Sequence, residues 1–315
     1  MPRVRSAFRN RVEALAVSAL RAVFARMTPE RAEATGRRLG LAYRRVDHRR
    51  RELARANIAR AFPEKTAGEV DALARAVFEH FGGLATELLH AAGRPVAETV
   101  ARVEFPDAAA ALEASRSGRG VLFLTAHLGN WEYSALGMAA IGVRAAVVAR
   151  PLDNPLLDAW LTAFRTSNGN AIIDKHDAAR GMLRALRTGG VLGVLADQHV
   201  GPPDGIPVPF FGRPASTTSA LARIVDRTEA LVLPAAAIRI APSRYRLAVE
   251  PVLDVRNLPA AERDVARLTA RFNAILEGMV RRQPEQWLWL HNRWRVAPEP
   301  APPERKKRPD TQSGR

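Results

Sequence analysis

Hydrophobic positions recur at two different periods along this chain. From Glu69 to Ala92 the apolar residues Val70, Leu73, Val77, Phe81, Leu84 and Leu88 stand three or four apart, which predicts a core-facing helix. The same spacing through Val12, Leu15, Ala19, Leu20, Val23 and Phe24 predicts an amphipathic helix over 12–25, and residues 30–60 read as helical until Pro63 stops the pattern. Past Gly118 and Gly120 the texture changes. Val121-Leu122-Phe123-Leu124-Thr125 is a short unbroken apolar run rich in β-formers, as a strand buried on both faces is, and 145–148, 191–195, 231–237 and 245–249 repeat it. Helical segments at 131–141, 155–167 and 177–188 lie between the first three runs, and 263–282 predicts one more helix outside. Thr217 and Thr218 stand where a helix over 219–227 needs its cap.

Strands alternating with helices predict an α/β fold, a mostly parallel central sheet flanked by helices, with amphipathic helices at the N-terminal side. Three parts follow: basic amphipathic helices over 1–60 that associate with a membrane, a main domain over 61–297, and a Pro-rich charged tail over 298–315 read as disordered. No internal repeat of solenoid period is visible.

Composition sharpens this. The 315 residues are 47% apolar and 25% charged, ordinary for a globular chain, and contain no cysteine, which excludes disulfides, thiolate metal sites and a cysteine nucleophile. Residues 1–60 hold 16 Arg, no Lys and 5 acidic residues, a formal +11 out of +16 for the whole chain. Such a block favours phospholipid headgroups, nucleic acid or an acidic protein, although an arginine bias inherited from a GC-rich coding sequence gives the same count. No stretch of roughly 18 residues is free of charge, so a spanning helix is not expected. Nor does a small-residue cleavage signature follow 12–25, so removal and export are not expected either. With arginines at its borders, that segment suits a helix lying in the interface of an anionic leaflet or one packed on the domain.

Ligands of open α/β sheets gather where strands end and helices begin. Ala126-His127-Leu128-Gly129-Asn130-Trp131-Glu132 occupies such a place directly after the run 121–125. Gly129 permits a turn that other residues resist, Asn130 is a good N-cap, and Glu132 falls in the first helical turn, from which its carboxylate can reach back to the imidazole. An imidazole with a carboxylate on its second nitrogen is a general base for a weak nucleophile such as an alcohol. That is the logic of a serine hydrolase with the hydroxyl supplied by the substrate.

Several stretches carry a resemblance in the same order. They are Asn57-Ile58 through Phe62-Pro63-Glu64, the segment 126–132, Arg150-Pro151-Leu152-Asp153-Asn154-Pro155 through Asp158, Asp197-Gln198, Val208-Pro209-Phe210-Phe211-Gly212-Arg213-Pro214-Ala215, and Pro284-Glu285-Gln286-Trp287-Leu288-Trp289-Leu290-His291 with Arg293-Trp294. Together they cover about residues 50–296 and resemble the bacterial lipid A biosynthesis acyltransferases, the late lauroyl and myristoyl transferases of the lysophospholipid and glycerolipid acyltransferase superfamily. The resemblance implies that 61–297 is an acyltransferase domain with His127 as general base and Glu132 as its partner. Glutamate at this position, where the wider superfamily has aspartate, is similar to the lipid A branch. It further implies that Asn130, Arg165, Asp197 and Gln198 contact substrate, with Arg165 holding a phosphate or the oxyanion of the thioester carbonyl.

The implied reaction moves a fatty acyl chain from acyl carrier protein or acyl-CoA to a hydroxyl of a lipid A precursor, at the cytoplasmic face of the inner membrane, with peripheral or weak anchoring. Anionic membrane lipids and a glycolipid acceptor are the implied partners. Another glycolipid, such as a phosphatidylinositol mannoside, or a lysophospholipid is the alternative acceptor. A nucleic-acid partner is not expected, because no helix-turn-helix, zinc or base-stacking signature accompanies the charge. No cofactor is expected, and no metal, since His176, His199 and His291 lack carboxylate neighbours at ligand spacing. Phe210-Phe211-Gly212 suits an acyl-chain wall, a membrane loop or core packing. Trp287, Trp289 and Trp294 suit core packing or interfacial anchoring. Two departures from the family pattern stand out: 12–25 is short and contains Arg21, and Asn292 follows His291 where a basic residue is more usual.

Overall fold

A computed structural model describes residues 6–174 and 178–295. The expected tail over 298–315 and His176 lie outside the described residues. Helix α1 (Ala7–Ala25), capped by Ser6, is the first element among the described residues. The helical block expected over 30–60 is two helices, α2 (Pro29–Val46) and α3 (His48–Ala61). Asp47 divides them, because its carboxylate accepts from the Arg50 backbone N–H and caps the second helix with non-helical dihedrals. Helix α4 (Ala67–Ala91) begins at a capping box formed by Thr66 and Glu69.

The backbones of α2 and α4 touch. A Cβ on Gly36 would stand 2.3 Å from the Gly82 carbonyl oxygen, and one on Gly40 would stand 2.0 Å from that of Phe78. Asn57 of α3 donates to the Trp289 and His291 carbonyls from a fully buried position. Residues 6–60 thus pack continuously with the rest of the described residues. Helix α1 has a packed side around Phe24 and an outward side on which Phe8, Val12, Leu15, Leu20 and Val23 are exposed.

Then come α5 (Val96–Val100), β1 (Val103–Glu104), α6 (Ala108–Arg116), β2 (Val121–Thr125), α7 (Trp131–Ala140), β3 (Ala145–Ala149), α8 (Pro155–Thr166), β4 (Ala171–Asp174), α9 (Ala178–Arg187) and β5 (Val191–Leu195). The remaining strands and α-helices among the described residues are β6 (Gly205–Phe210), β7 (Arg213–Thr218), α10 (Ala220–Thr228), β8 (Leu231–Ala241), β9 (Arg244–Val249), β10 (Leu253–Asp254) and α11 (Val265–Arg282). The sheet order is β1-β9-β8-β2-β5-β3-β4, with β10 also on β8. Strands β8, β2, β5, β3 and β4 pair in parallel, whereas β9 and β10 run antiparallel to β8.

The mostly parallel sheet expected from the alternation is present, and the pleat divides its residues between two cores. Leu122, Leu124, Leu192 and Val232 face the layer of α4, α9, α10 and α11. Val121, Phe123, Leu233 and Ala235 face α6, α7 and α8.

The hairpin β6–β7 carried no strand signal, because Pro207 and Pro209 interrupt β6. Its two-residue turn, Phe211 and Gly212, has positive φ at both positions, the backbone twist such hairpins require. Phe210 and Phe211 pack edge-on and tilted against Trp287, Trp289 and Trp294, all buried, so core packing is the arrangement found for these rings. Thr218 accepts from the Ala220 N–H at the start of α10, while Thr217 instead bonds Arg293 and Asn273.

Candidate active site

The turn after β2 is held from several directions. Gly129 sits at φ +62°, and a Cβ there would meet the Ala237 carbonyl oxygen at 2.1 Å, so both conformation and space demand glycine. Its N–H donates to the Gln286 carbonyl, the Asn130 N–H to that of Ala237, and the Leu288 N–H to that of His127. Asn130 then caps α7, accepting from the Tyr133 N–H at 3.1 Å.

This turn presents His127 at the carboxyl end of the sheet. Its Nδ1 lies 2.8 Å from Asp197 Oδ1, and its backbone N–H donates to Asp197 Oδ2 at 2.9 Å. Asp197 follows β5 and is almost wholly buried, and its Oδ2 also accepts from Trp287 Nε1 at 2.7 Å. A carboxylate so placed can only accept, so Nδ1 carries the imidazole hydrogen and Nε2 keeps its lone pair. The Gln198 amide, 3.3 Å from Nε2, fits that tautomer as a donor.

Glu132 is not where the sequence places it. Its carboxylate is turned from the imidazole to Arg165 of α8, which donates through Nε at 2.9 Å and Nη2 at 2.6 Å. The orienting carboxylate of His127 is Asp197, 70 residues away in the chain. The first turn of α7 projects Glu132 across to α8, and the imidazole, fixed by its own backbone bond to Asp197, faces β5. Trp131 lies between, edge-on to His127 with ring centroids 5.1 Å apart and donating to Glu132 Oε1 at 3.2 Å.

His127, Trp131, Glu132, Arg150, Arg165 and Gln198 line one cavity of about 290 Å³, whose remaining wall is largely apolar: Val147, Val148, Val194, Leu195 and Leu152. Two expected substrate contacts lie off this wall. Asn130 is buried as the cap of α7, and Asp197 stands behind His127.

Burial disfavours the charged imidazole of His127. The Asp197 carboxylate, by charge and by hydrogen bond, with Glu132 behind it, outweighs this and holds the pKa above its ordinary value. For Asp197 burial likewise opposes ionisation, but His127, its backbone N–H and Trp287 together hold the carboxyl below the usual range. Nearby, His291 Nε2 accepts from the His199 N–H at 3.2 Å, and burial draws the pKa of both rings down. Among the described residues no group of three or more acidic, histidine or cysteine side chains could hold a metal. The arrangement can accept a proton at Nε2 from a hydroxyl entering the cavity and shelter an apolar chain beside it.

Trp287 and Trp131 are the partners that sequence reasoning missed. Both lie inside the quoted motifs; the contact of Trp287 with Asp197 is tertiary and leaves no local period, whereas Trp131 stands only four residues from His127, a spacing the sequence did offer.

Residues 4–296 match the family described as bacterial lipid A biosynthesis acyltransferase. The chain is 32% identical over 186 residues to the lipid A biosynthesis lauroyltransferase of Escherichia coli (strain K12), covering 58% of this chain and 57% of that protein. It is 30% identical over 187 residues to a lipid A biosynthesis acyltransferase of Haemophilus influenzae, with 58% and 57% covered. The chain thus spans a little over half the length of these two relatives. Against the lipid A biosynthesis palmitoleoyltransferase of Escherichia coli (strain K12) it is 28% identical over 267 residues, 84% of each chain.

Proposed function

Because this chain belongs to the bacterial lipid A biosynthesis acyltransferase family, we propose that it transfers a fatty acyl chain from a thioester donor, acyl carrier protein or coenzyme A, to a hydroxyl of a lipid A precursor. The observation that carries this reading is an imidazole tethered at Nδ1 by a buried carboxylate, whose ring lines a largely apolar cavity with the Gln198 amide beside Nε2.

The acceptor hydroxyl gives its proton to His127 Nε2 as its oxygen attacks the thioester carbonyl. Asp197 keeps the tautomer and stabilises the imidazolium that forms. When the tetrahedral intermediate collapses, the ester C–O bond remains, the C–S bond breaks, and Nε2 returns the proton to the departing thiolate. Glu132 adds negative charge behind the imidazolium and fixes Arg165, whose guanidinium at the cavity wall meets the oxyanion or a substrate phosphate. The gain over a bare imidazole is pre-organisation: the base needs no reorientation at the moment of attack.

Association with the cytoplasmic face of the inner membrane rests on α1. Its outward side exposes Phe8 by 78% and Leu15 by 70%, beside an arginine-rich stretch that favours anionic headgroups. Among the described residues no helix is long and apolar enough to cross a membrane.

The decisive test is mass spectrometry of lipid A from cells whose own copy is replaced by His127→Ala. Loss of one secondary acyl chain is expected; lipid A identical to that of the unaltered strain would overturn the reading.

A further inference from the structure

His80 takes no part in this chemistry, yet it is buried against the turn that carries His127. It projects from α4, is 6% exposed, and its Nε2 lies 3.2 Å from the Gly129 carbonyl oxygen. A carbonyl only accepts, so Nε2 carries the hydrogen and donates. The ring stays neutral at any working pH, since burial foremost, then the charges of Arg239 and Arg37, push its pKa down to about 3 against the opposing bond to Gly129.

The amide of Gly129 is satisfied by Gln286 and that of Asn130 by Ala237, while the Gly129 carbonyl takes its donor from His80. His80 also borders a second cavity of about 250 Å³, shared with Arg37, Arg239 and Gln286. The next residue of α4, Phe81, leans on Trp131 at 6.2 Å between ring centroids, and Trp131 in turn abuts His127. Helix α4 therefore reaches the imidazole through two adjacent side chains, one polar and one apolar.

We propose that His80 is a positioning residue for acyl transfer: by donating Nε2–H to the Gly129 carbonyl it fixes the turn that sets His127 against the cavity. The link to rate rests on the reading of His127 as general base; the link to the turn does not. Without the donor a buried carbonyl is left unsatisfied, and the turn opens to find water.

The test compares His80→Phe, which keeps the ring and removes the donor, with His80→Gln, whose side-chain amide restores one. Hydrogen exchange is followed in the peptide spanning 126–131, together with transfer from lauroyl-acyl carrier protein to a lipid A precursor. His80→Phe is expected to speed exchange in that peptide about tenfold, leaving β2 and β5 protected, and to lower kcat about tenfold with KM within about twofold. His80→Gln is expected to recover both. Wild-type exchange in His80→Phe, or equal damage in the two variants, overturns the proposal. Should His80→Phe not fold, His80→Gln decides alone, with wild-type exchange and kcat supporting the role and their loss overturning it. His127→Ala run alongside keeps the readings separate, because transfer surviving in that variant removes the general-base mechanism without altering the exchange contrast.

Discussion

Asp197 Oδ1 stands 2.8 Å from His127 Nδ1, and this contact decides which imidazole nitrogen faces the cavity. Asp197→Asn replaces a pure acceptor with a group that can donate to Nδ1, which favours the tautomer with its hydrogen on Nε2. Turnover should fall about 10³-fold or more with little change in KM, by the logic of a triad that loses its carboxylate. Steady-state kinetics with a thermal melt to confirm folding checks this; a loss below about tenfold would remove Asp197 from the mechanism.

The same contact sets a pH dependence. His127 must be neutral to accept a proton, and its pKa is held above its ordinary 6.5, burial opposing and Asp197 and Glu132 prevailing. The acid limb of kcat/KM should therefore have its midpoint above 6.5 in the wild type and lower in Asp197→Asn. For stability, a raised histidine pKa gives a contribution complete below 6.5 and lost as pH rises through the folded value. Asp197, lowered from 3.8, contributes above 3.8 and loses that contribution as pH falls through its folded value. Melting temperatures of the two proteins should thus differ more at about pH 5.5 than at about pH 8.5. An equal difference at both would show that the pair does not titrate as described.

Glu132 and Arg165 should behave as a coupled pair. Their side chains are 9% and 22% exposed, so removing either leaves a poorly solvated charge, and Glu132→Gln or Arg165→Met alone should cost about 1–3 kcal/mol. The double variant should cost less than the sum of the two while remaining inactive. Denaturant unfolding of all four proteins measures the coupling. Strict additivity would mean that the ion pair does not hold α7 to α8.

The outward side of α1 should govern membrane binding. Phe8→Glu with Leu15→Glu removes two of its most exposed apolar side chains and adds charges that anionic lipid repels. Co-sedimentation with vesicles containing phosphatidylglycerol should drop about tenfold or more, while the melting temperature stays within a few degrees of wild type. Undiminished binding would move the membrane contact elsewhere.

Local periodicity made much of this molecule legible. The runs at 121–125 and 191–195 are strands β2 and β5 as expected, and the apolar spacing from Val70 to Leu88 lies in α4. The turn at Gly129 and the cap at Asn130 could be read because each depends on its own backbone. The break at Asp47 lay inside one helical pattern, and β6 was hidden by Pro207 and Pro209. His127 and Glu132 were drawn together by a spacing of five residues, yet the side chain that meets the imidazole comes from the end of β5. Sequence put Asp197 near the site but could not assign its partner, since that depends on how β2 and β5 lie side by side in the sheet.

Part of the support for His127 comes from residues translated late. Gln286 receives the Gly129 amide, Leu288 donates to the His127 carbonyl, and Trp287 donates to Asp197. A ribosome adds roughly 5–20 residues each second, so about ten seconds or more separate the synthesis of β2 from that of this strap. Until it arrives the Gly129 amide, the His127 carbonyl and the Asp197 carboxylate each lack one hydrogen-bond partner, and a message cut short before codon 286 yields a polypeptide that retains His127 without this brace.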